Sequence, residues 1–284
     1  MPIATASIAS TASTASALLT PPAPSALLAR TVLGSGPGLV LAHGAGGGTA
    51  ANYGPLLEGL AARHTVVGVD WPGSGGSPRA TGPLDADELA DQLVAAADAA
   101  GLERFALAGF SLGGPVAVRA AARHPERVGA LVLTATFAHR DARLDLAARL
   151  WGELYASGAH DLLAEHLTLA AFGPDVLQAL DPAALRGAIA AVAATVPSGT
   201  PEQVDLVRRI DVRADLARVQ APTLVIATTA DPLVSPSLQR ELADRIPGAR
   251  TAQLPTGHLP FAERPEQWRA LITDFLAEHT ATTS

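Results

Sequence analysis

The sequence predicts an α/β protein: a mostly parallel, helix-flanked sheet carrying one helical insertion. Three observations predict it. From residue 25 onward, short apolar runs alternate with longer amphipathic stretches. That rhythm breaks once, from about residue 140 to 212, where helical patterns follow one another without a convincing strand. A glycine-flanked serine also stands where an apolar run gives way to a helical pattern.

The elements follow in order. Leu39–Ala42 reads as a buried strand and Tyr53–Arg63 as a helix. Thr65–Val69 is the next strand, and Asp85–Ala100 the next helix. The strand Arg104–Gly109 runs into Ser111, with a helix over Val116–His124 and a strand over Val128–Leu133. After the insertion, Thr223–Ala227 is a strand, Ser237–Ile246 a helix, Arg250–Leu254 a strand and Pro265–Glu278 a helix. Alternation of this kind places strands side by side in parallel, with the connecting helices covering both faces. The domain division is therefore a core over 25–139 and 213–284, with residues 140–212 as a helical cap above one edge of the sheet. Residues 1–24 are Ala/Ser/Thr-rich and end in Pro21-Pro22-Ala23-Pro24. They lack a basic start and a strong apolar run, so they read as a flexible tail in preference to a secretory signal, with a cleaved targeting peptide as the alternative.

Composition removes several function classes. The net charge is −7, which gives no global attraction to nucleic acid or an anionic membrane. No apolar run reaches membrane-spanning length. There is no cysteine, which excludes disulfides, thiolate metal sites and cysteine nucleophiles. All 20 basic residues are arginine, so Schiff-base chemistry and a P-loop lysine are excluded as well. A cytoplasmic protein with no cofactor, no metal and a small-molecule substrate is expected; the sequence does not set its oligomeric state.

The chemistry begins at Gly109-Phe110-Ser111-Leu112-Gly113, a G-x-S-x-G pentapeptide. A serine on a sharp strand-to-helix turn has its hydroxyl pushed clear of the backbone, and the glycines prevent collisions with strand and helix. Serine alone is a poor nucleophile; it needs a base, and the base needs an orienting partner. In a parallel sheet, functional groups gather at the C-terminal ends of strands. Thr223–Ala227 runs into Asp231, and Arg250–Leu254 runs into His258. Ser111, Asp231 and His258 thus come to one rim in the chain order Ser, Asp, His.

That order resembles the α/β-hydrolase family. The likeness spans about residues 25–279 outside the insertion. His43-Gly44-Ala45-Gly46-Gly47-Gly48 looks like the family's oxyanion turn. Asp70-Trp71-Pro72-Gly73-Ser74-Gly75-Gly76-Ser77 looks like its D-x-x-G-x-G-x-S loop. Gly257-His258 with Glu263-Arg264-Pro265-Glu266 looks like its histidine loop and final helix. The resemblance implies a sheet of the α/β-hydrolase type with Ser111 as nucleophile, His258 as general base and then acid, and Asp231 as the orienting carboxylate. Two backbone N–H groups would stabilise the developing oxyanion. Leu112 lies at the helix start, where free N–H groups favour an anion. Ala45 is the second by the family's habit, with Gly46 as fallback. His43 then stabilises the turn. Asp70 and Asp141 are rivals to Asp231 that fit less well: Asp70 braces its loop, and Asp141 lies beyond the strand end.

The insertion is rich in Leu and Ala, with Trp151, Tyr155 and Phe172 as its aromatics. Its inward residues would make a mainly apolar pocket for a medium-sized, mostly uncharged substrate, with Trp71 and Trp151 as candidate walls. Arg143, Arg149 and Arg186 could bind a carboxylate but read better as solvated helix faces. His160 and His166 are off the spacing of a helical metal pair, and His139 reads as a solvated loop residue. His64, His124 and His279 sit at helix ends, where a cation suits the dipole. An esterase, lactonase or thioesterase forming an acyl-enzyme on Ser111 is the leading reading. C–C (diketone) hydrolysis and cofactor-free haloperoxidase or perhydrolase chemistry need the same residues. A small-molecule receptor on a hydrolase scaffold is the reading from another class.

Overall fold

The computed structural model describes residues 26–280. Seven strands form one sheet: β1 (Arg30–Leu33), β2 (Gly38–Ala42), β3 (Thr65–Val69), β4 (Phe105–Phe110), β5 (Val128–Thr134), β6 (Thr223–Thr228) and β7 (Arg250–Leu254). They lie in the order β1-β3-β2-β4-β5-β6-β7, and every neighbouring pair is parallel except β1 with β3. β2 and β4 are buried along their whole length, as strands covered on both faces must be. Alternate side chains go to opposite layers. Val40, Val67, Leu107 and Leu131 pack with helices α2 (Ala86–Ala99) and α3 (Gly113–Arg123). Leu39, Leu41, Ala106 and Val132 pack with α1 (Thr49–Ala61) and the last helix (Pro265–Thr280).

The sequence reading did not anticipate β1. It has only four residues, all exposed, and adds to the sheet edge antiparallel to β3. An edge strand with no buried face shows no apolar run to read. The expected tail over residues 1–24 lies outside the described residues.

Between β5 and β6 the chain forms α4 (Ala142–Ala156), α5 (His160–Ala171), α6 (Pro174–Ala179), α7 (Pro182–Thr195) and α8 (Thr200–Arg209). This segment leaves and rejoins the core at a narrow neck. His139 and Asp211 form an antiparallel bridge, and the Val212 N–H donates to the Ala138 carbonyl at 2.9 Å. The C-terminal ends of β4, β6 and β7, and the loops that follow them, face these helices. Among the described residues, no helix is long and apolar enough to cross a membrane.

Candidate active site

β4 ends at Phe110, and the next residue, Ser111, takes φ +52. A non-glycine residue there costs about 1–3 kcal/mol, so its neighbours must over-determine it. The Ser111 N–H donates to the Thr134 carbonyl (3.1 Å), and its carbonyl accepts from the Thr136 hydroxyl (2.6 Å) and the Gly114 N–H (2.9 Å). The flanking glycines permit the turn. A Cβ at Gly113 would lie 2.0 Å from the Ala42 carbonyl oxygen, and one at Gly109 would lie 2.6 Å from that of Gly113. Helix α3 therefore starts directly behind the serine.

Ser111 Oγ lies 2.9 Å from His258 Nε2, and His258 Nδ1 lies 2.8 Å from Asp231 Oδ2. All three residues are buried. Asp231 is enclosed by donors. Its Oδ1 accepts the N–H groups of Leu233 (2.9 Å) and Val234 (2.8 Å), and its Oδ2 also accepts the Thr228 hydroxyl (2.9 Å). A carboxylate can only accept, so Nδ1 of His258 carries the proton and Nε2 is left to accept from the serine hydroxyl. This is the polarity a serine nucleophile requires.

The histidine loop is tied to the inserted helices. The His258 N–H donates to the carbonyl of Ala171, at the end of α5 (2.6 Å). The Glu263 carboxylate bridges the same two segments, accepting Gly173 N–H at 3.0 Å and Gly257 N–H at 2.9 Å. A Cβ at Gly257 would come within 2.1 Å of the Gly173 nitrogen, so only glycine permits this approach.

The turn over residues 43–48 is pinned on both sides of Ala45. The Gly44 N–H donates to Asn52 Oδ1, and the Gly46 N–H to Gln203 Oε1, both at 2.9 Å. The Ala45 N–H has no acceptor among the described residues, nor has that of Leu112. Gly46, the fallback donor, is thus already committed. His43 Nδ1 donates to the Gly44 carbonyl (2.7 Å), while its Nε2 accepts the Trp71 N–H (2.9 Å). In a trans peptide C=O and N–H point opposite ways. Holding the Gly44 carbonyl therefore also aims the Ala45 N–H.

That arrangement needs a neutral His43. Burial lowers its pKa from 6.5 to about 4. The unfolded chain takes up this proton first, so the contribution to stability is complete above pH 6.5 and is lost as pH falls towards 4. Over that window this one group is expected to lower the unfolding free energy by roughly 1.4 kcal/mol per pH unit. Urea titrations at several pH values check this, and a His43→Asn variant should show the correspondingly shallower slope.

Above the serine lies a cavity of about 280 Å³. Ala45, Phe110, Ser111 and His258 contribute from the core, and Trp151 and Val192 are among those from the inserted helices. None of its lining residues is an acid or an arginine. Trp151 thus lines the cavity. Trp71 does not, which corrects the expectation that it walls the pocket. Its indole is fully buried beneath the turn, where Nε1 donates to the His43 carbonyl at 2.8 Å. Hydrogen bonding inside the loop consumed the side chain that composition alone left available.

The remaining candidates are occupied elsewhere. Asp70 accepts the Thr49 N–H at the start of α1, and Asp141 caps α4 through the Leu144 N–H, both at 2.8 Å. His139 meets Glu241 at 3.0 Å, and Arg143 donates to the Pro232 carbonyl at 2.5 Å. Arg149 and Arg186 do not line the cavity. Burial lowers the pKa of His64, so a neutral ring, not a cation, suits its helix end. His124 Nε2 meets Asp91 at 2.7 Å. Among the described residues no group of three His, Asp or Glu could hold a metal ion. Sequence reasoning missed Asn52 and Gln203 altogether and read Glu263 only as part of a motif. Gln203 and Glu263 reach Gly46 and Gly173, 157 and 90 residues away, and the eight-residue link from Asn52 to Gly44 has no sequence signature of its own.

A family model for the alpha/beta hydrolase fold matches residues 37–265. The chain is 36% identical over 245 residues to a pyrrolizixenacetamide deacetylase of Xenorhabdus hominickii, covering 86% of this chain and 92% of the relative. It is 33% identical over 269 residues to a pimeloyl-[acyl-carrier protein] methyl ester esterase of Chromobacterium violaceum, covering 88% and 96%. Among solved structures it is similar to the enol-lactonase from Burkholderia xenovorans LB400, with a TM-score of 0.75, 25% identity, and 88% and 96% of the two chains covered.

Proposed function

The chain belongs to the α/β-hydrolase fold family, and we propose that it is a serine hydrolase cleaving the ester, lactone or thioester bond of a small to medium, mostly apolar substrate through an acyl-enzyme on Ser111. The observation that carries this reading is the continuous relay from Ser111 through His258 to Asp231, opening beneath a cavity with no charged lining. Ser111 Oγ attacks the acyl carbon while His258 Nε2 takes its proton, and the carbonyl π electrons move onto oxygen. The N–H groups of Ala45 and Leu112 receive that oxyanion, each contributing about 3 kcal/mol. The C–O or C–S bond then breaks, and Nε2–H delivers its proton to the leaving group. Water adds to the acyl-enzyme with Nε2 again as base. Collapse returns a proton to Ser111 Oγ and frees the acid. The helices α4–α8 act as the cap that excludes bulk water and shapes the acyl site. The named activities of the relatives, a deacetylase, a methyl ester esterase and an enol-lactonase, support cleavage next to an acyl carbon.

The cavity is just below the usual range of roughly 300–1,000 Å³ for small-molecule sites, which favours short and medium acyl chains. A bare carboxylate in such a lining costs several kcal/mol unless it is paired. A panel of p-nitrophenyl esters, lactones, acyl thioesters and 1,3-diketones tests the proposal. Neutral acyl substrates should be turned over at least about 10²-fold faster than carboxylate-bearing esters of equal size. Faster turnover of the charged esters, or cleavage of diketones alone, would contradict it.

A further inference from the structure

We propose that Gln203, on the first turn of α8, is a positioning residue that sets the oxyanion turn; the inference rests on the serine-hydrolase reading above. Gln203 is fully buried, yet it belongs to the inserted helices, 157 residues along the chain from its partner Gly46. Both ends of its amide are engaged. Oε1 accepts the Gly46 N–H (2.9 Å), and Nε2 donates to the Pro72 carbonyl (3.1 Å) and to Ser74 Oγ (2.9 Å). Reversing the amide would set its NH₂ against the Gly46 N–H, so the network allows one orientation.

The consequence for the turn follows from the peptide units. Asn52 fixes the unit before Gly44, and Gln203 fixes the unit before Gly46. The unit between them carries the Ala45 N–H, whose carbonyl end is held by His43. Gln203 therefore removes Gly46 as a competing donor, while the Ala45 N–H stays free to meet an oxyanion. Gly46 sits at φ +68, and a Cβ there would lie 2.2 Å from the Trp151 ring, so the turn is also pressed by α4.

The start of α8 is docked rigidly enough for this task. Gly199, preceding α8, packs backbone to backbone on Gly73. A Cβ at Gly73 would lie 2.3 Å from the Gly199 Cα, and the Gly199 N–H donates to the Gly73 carbonyl at 3.2 Å. Arg79 and Glu202 add a two-pronged ion pair beside it, with contacts of 2.8 and 3.0 Å. The D-x-x-G-x-G-x-S loop thus serves as the platform through which an inserted helix reaches the oxyanion turn. The insertion supplies part of the machinery that stabilises charge, in addition to covering the substrate.

The test is Gln203→Met, which keeps the volume and removes all three hydrogen bonds. Two inhibitors separate its effects. An alkyl trifluoromethyl ketone accepts Ser111 Oγ at its carbonyl carbon, the π electrons becoming an oxyanion and the serine proton passing to His258. The matching methyl ketone remains a neutral ketone. The expected result is a kcat lower by about 10- to 100-fold, as for a small misplacement of catalytic groups. KM should stay within about threefold, and the trifluoromethyl ketone should weaken in step with kcat/KM while the methyl ketone keeps its affinity. Should Gln203→Met fail to fold by circular dichroism, Ser74→Ala removes one Nε2 partner at nearly constant volume. It should show the same split at about three- to tenfold. Unchanged kcat and trifluoromethyl ketone affinity in the folded variant overturn the proposal alone. A wild-type protein that does not take up the trifluoromethyl ketone overturns the oxyanion reading, and this proposal with it.

Discussion

Replacing Ser111 by alanine is expected to lower kcat by on the order of 10⁶-fold, the loss seen when a serine relay loses its nucleophile. The fold should survive, because the backbone demand is unchanged. Alanine at φ +52 bears the same strain as serine, and the bonds that hold the position, to Thr134, Thr136 and Gly114, use Ser111 main-chain atoms. Only the Oγ–His258 hydrogen bond disappears. Substrate affinity should therefore remain nearly intact, since the cavity keeps its other lining residues. Turnover per mole of folded chain, with equilibrium binding of the intact ester to the variant, checks both halves of the expectation. A variant retaining a tenth of wild-type turnover would place the chemistry elsewhere.

Asp231→Asn is expected to cost about 10⁴-fold in kcat, as in the serine-protease relay. The reason lies in what surrounds the carboxylate. Both backbone N–H groups, from Leu233 and Val234, point at Oδ1. An asparagine must turn its carbonyl oxygen towards that pair, which leaves its NH₂ at the former Oδ2. There it would donate to His258 Nδ1 and force the ring proton onto Nε2. The imidazole would then present a donor to a hydroxyl that has to lose its proton. Thr228 adapts, because its hydroxyl also has Gln239 as a partner. Turnover within tenfold of wild type, measured with the same ester, would remove Asp231 from the mechanism.

The parts of this site that were legible in the sequence are those that local chain geometry determines. Ser111 is marked by the glycines that its turn requires, and Asp231 and His258 by their places after strands β6 and β7. The buried strands were legible from continuous apolar runs. β1 was not, because an exposed four-residue edge strand has no such run. Trp71 misled for a related reason: an aromatic beside a glycine-rich loop fits a pocket wall and a buried brace equally well until its indole N–H is seen on the His43 carbonyl. Gln203 and Glu263 were unreadable as site residues. Each takes its meaning from a backbone N–H brought to it by folding, Gly46 for the one and Gly173 for the other. Such a polar residue is identified by its hydrogen bonds, and these two form only after the insertion has docked on the core.

The central claim is that Ser111 Oγ is activated by the relay behind it. The most direct measurement is intact-protein and peptide mass spectrometry after exposure to a fluorophosphonate, in which the serine oxygen bonds to phosphorus as fluoride leaves. The relay predicts one phosphonyl group per chain on the peptide carrying Ser111, with labelling strongly slowed in Asp231→Asn. Wild-type protein that hydrolyses esters while Ser111 stays unmodified would contradict it.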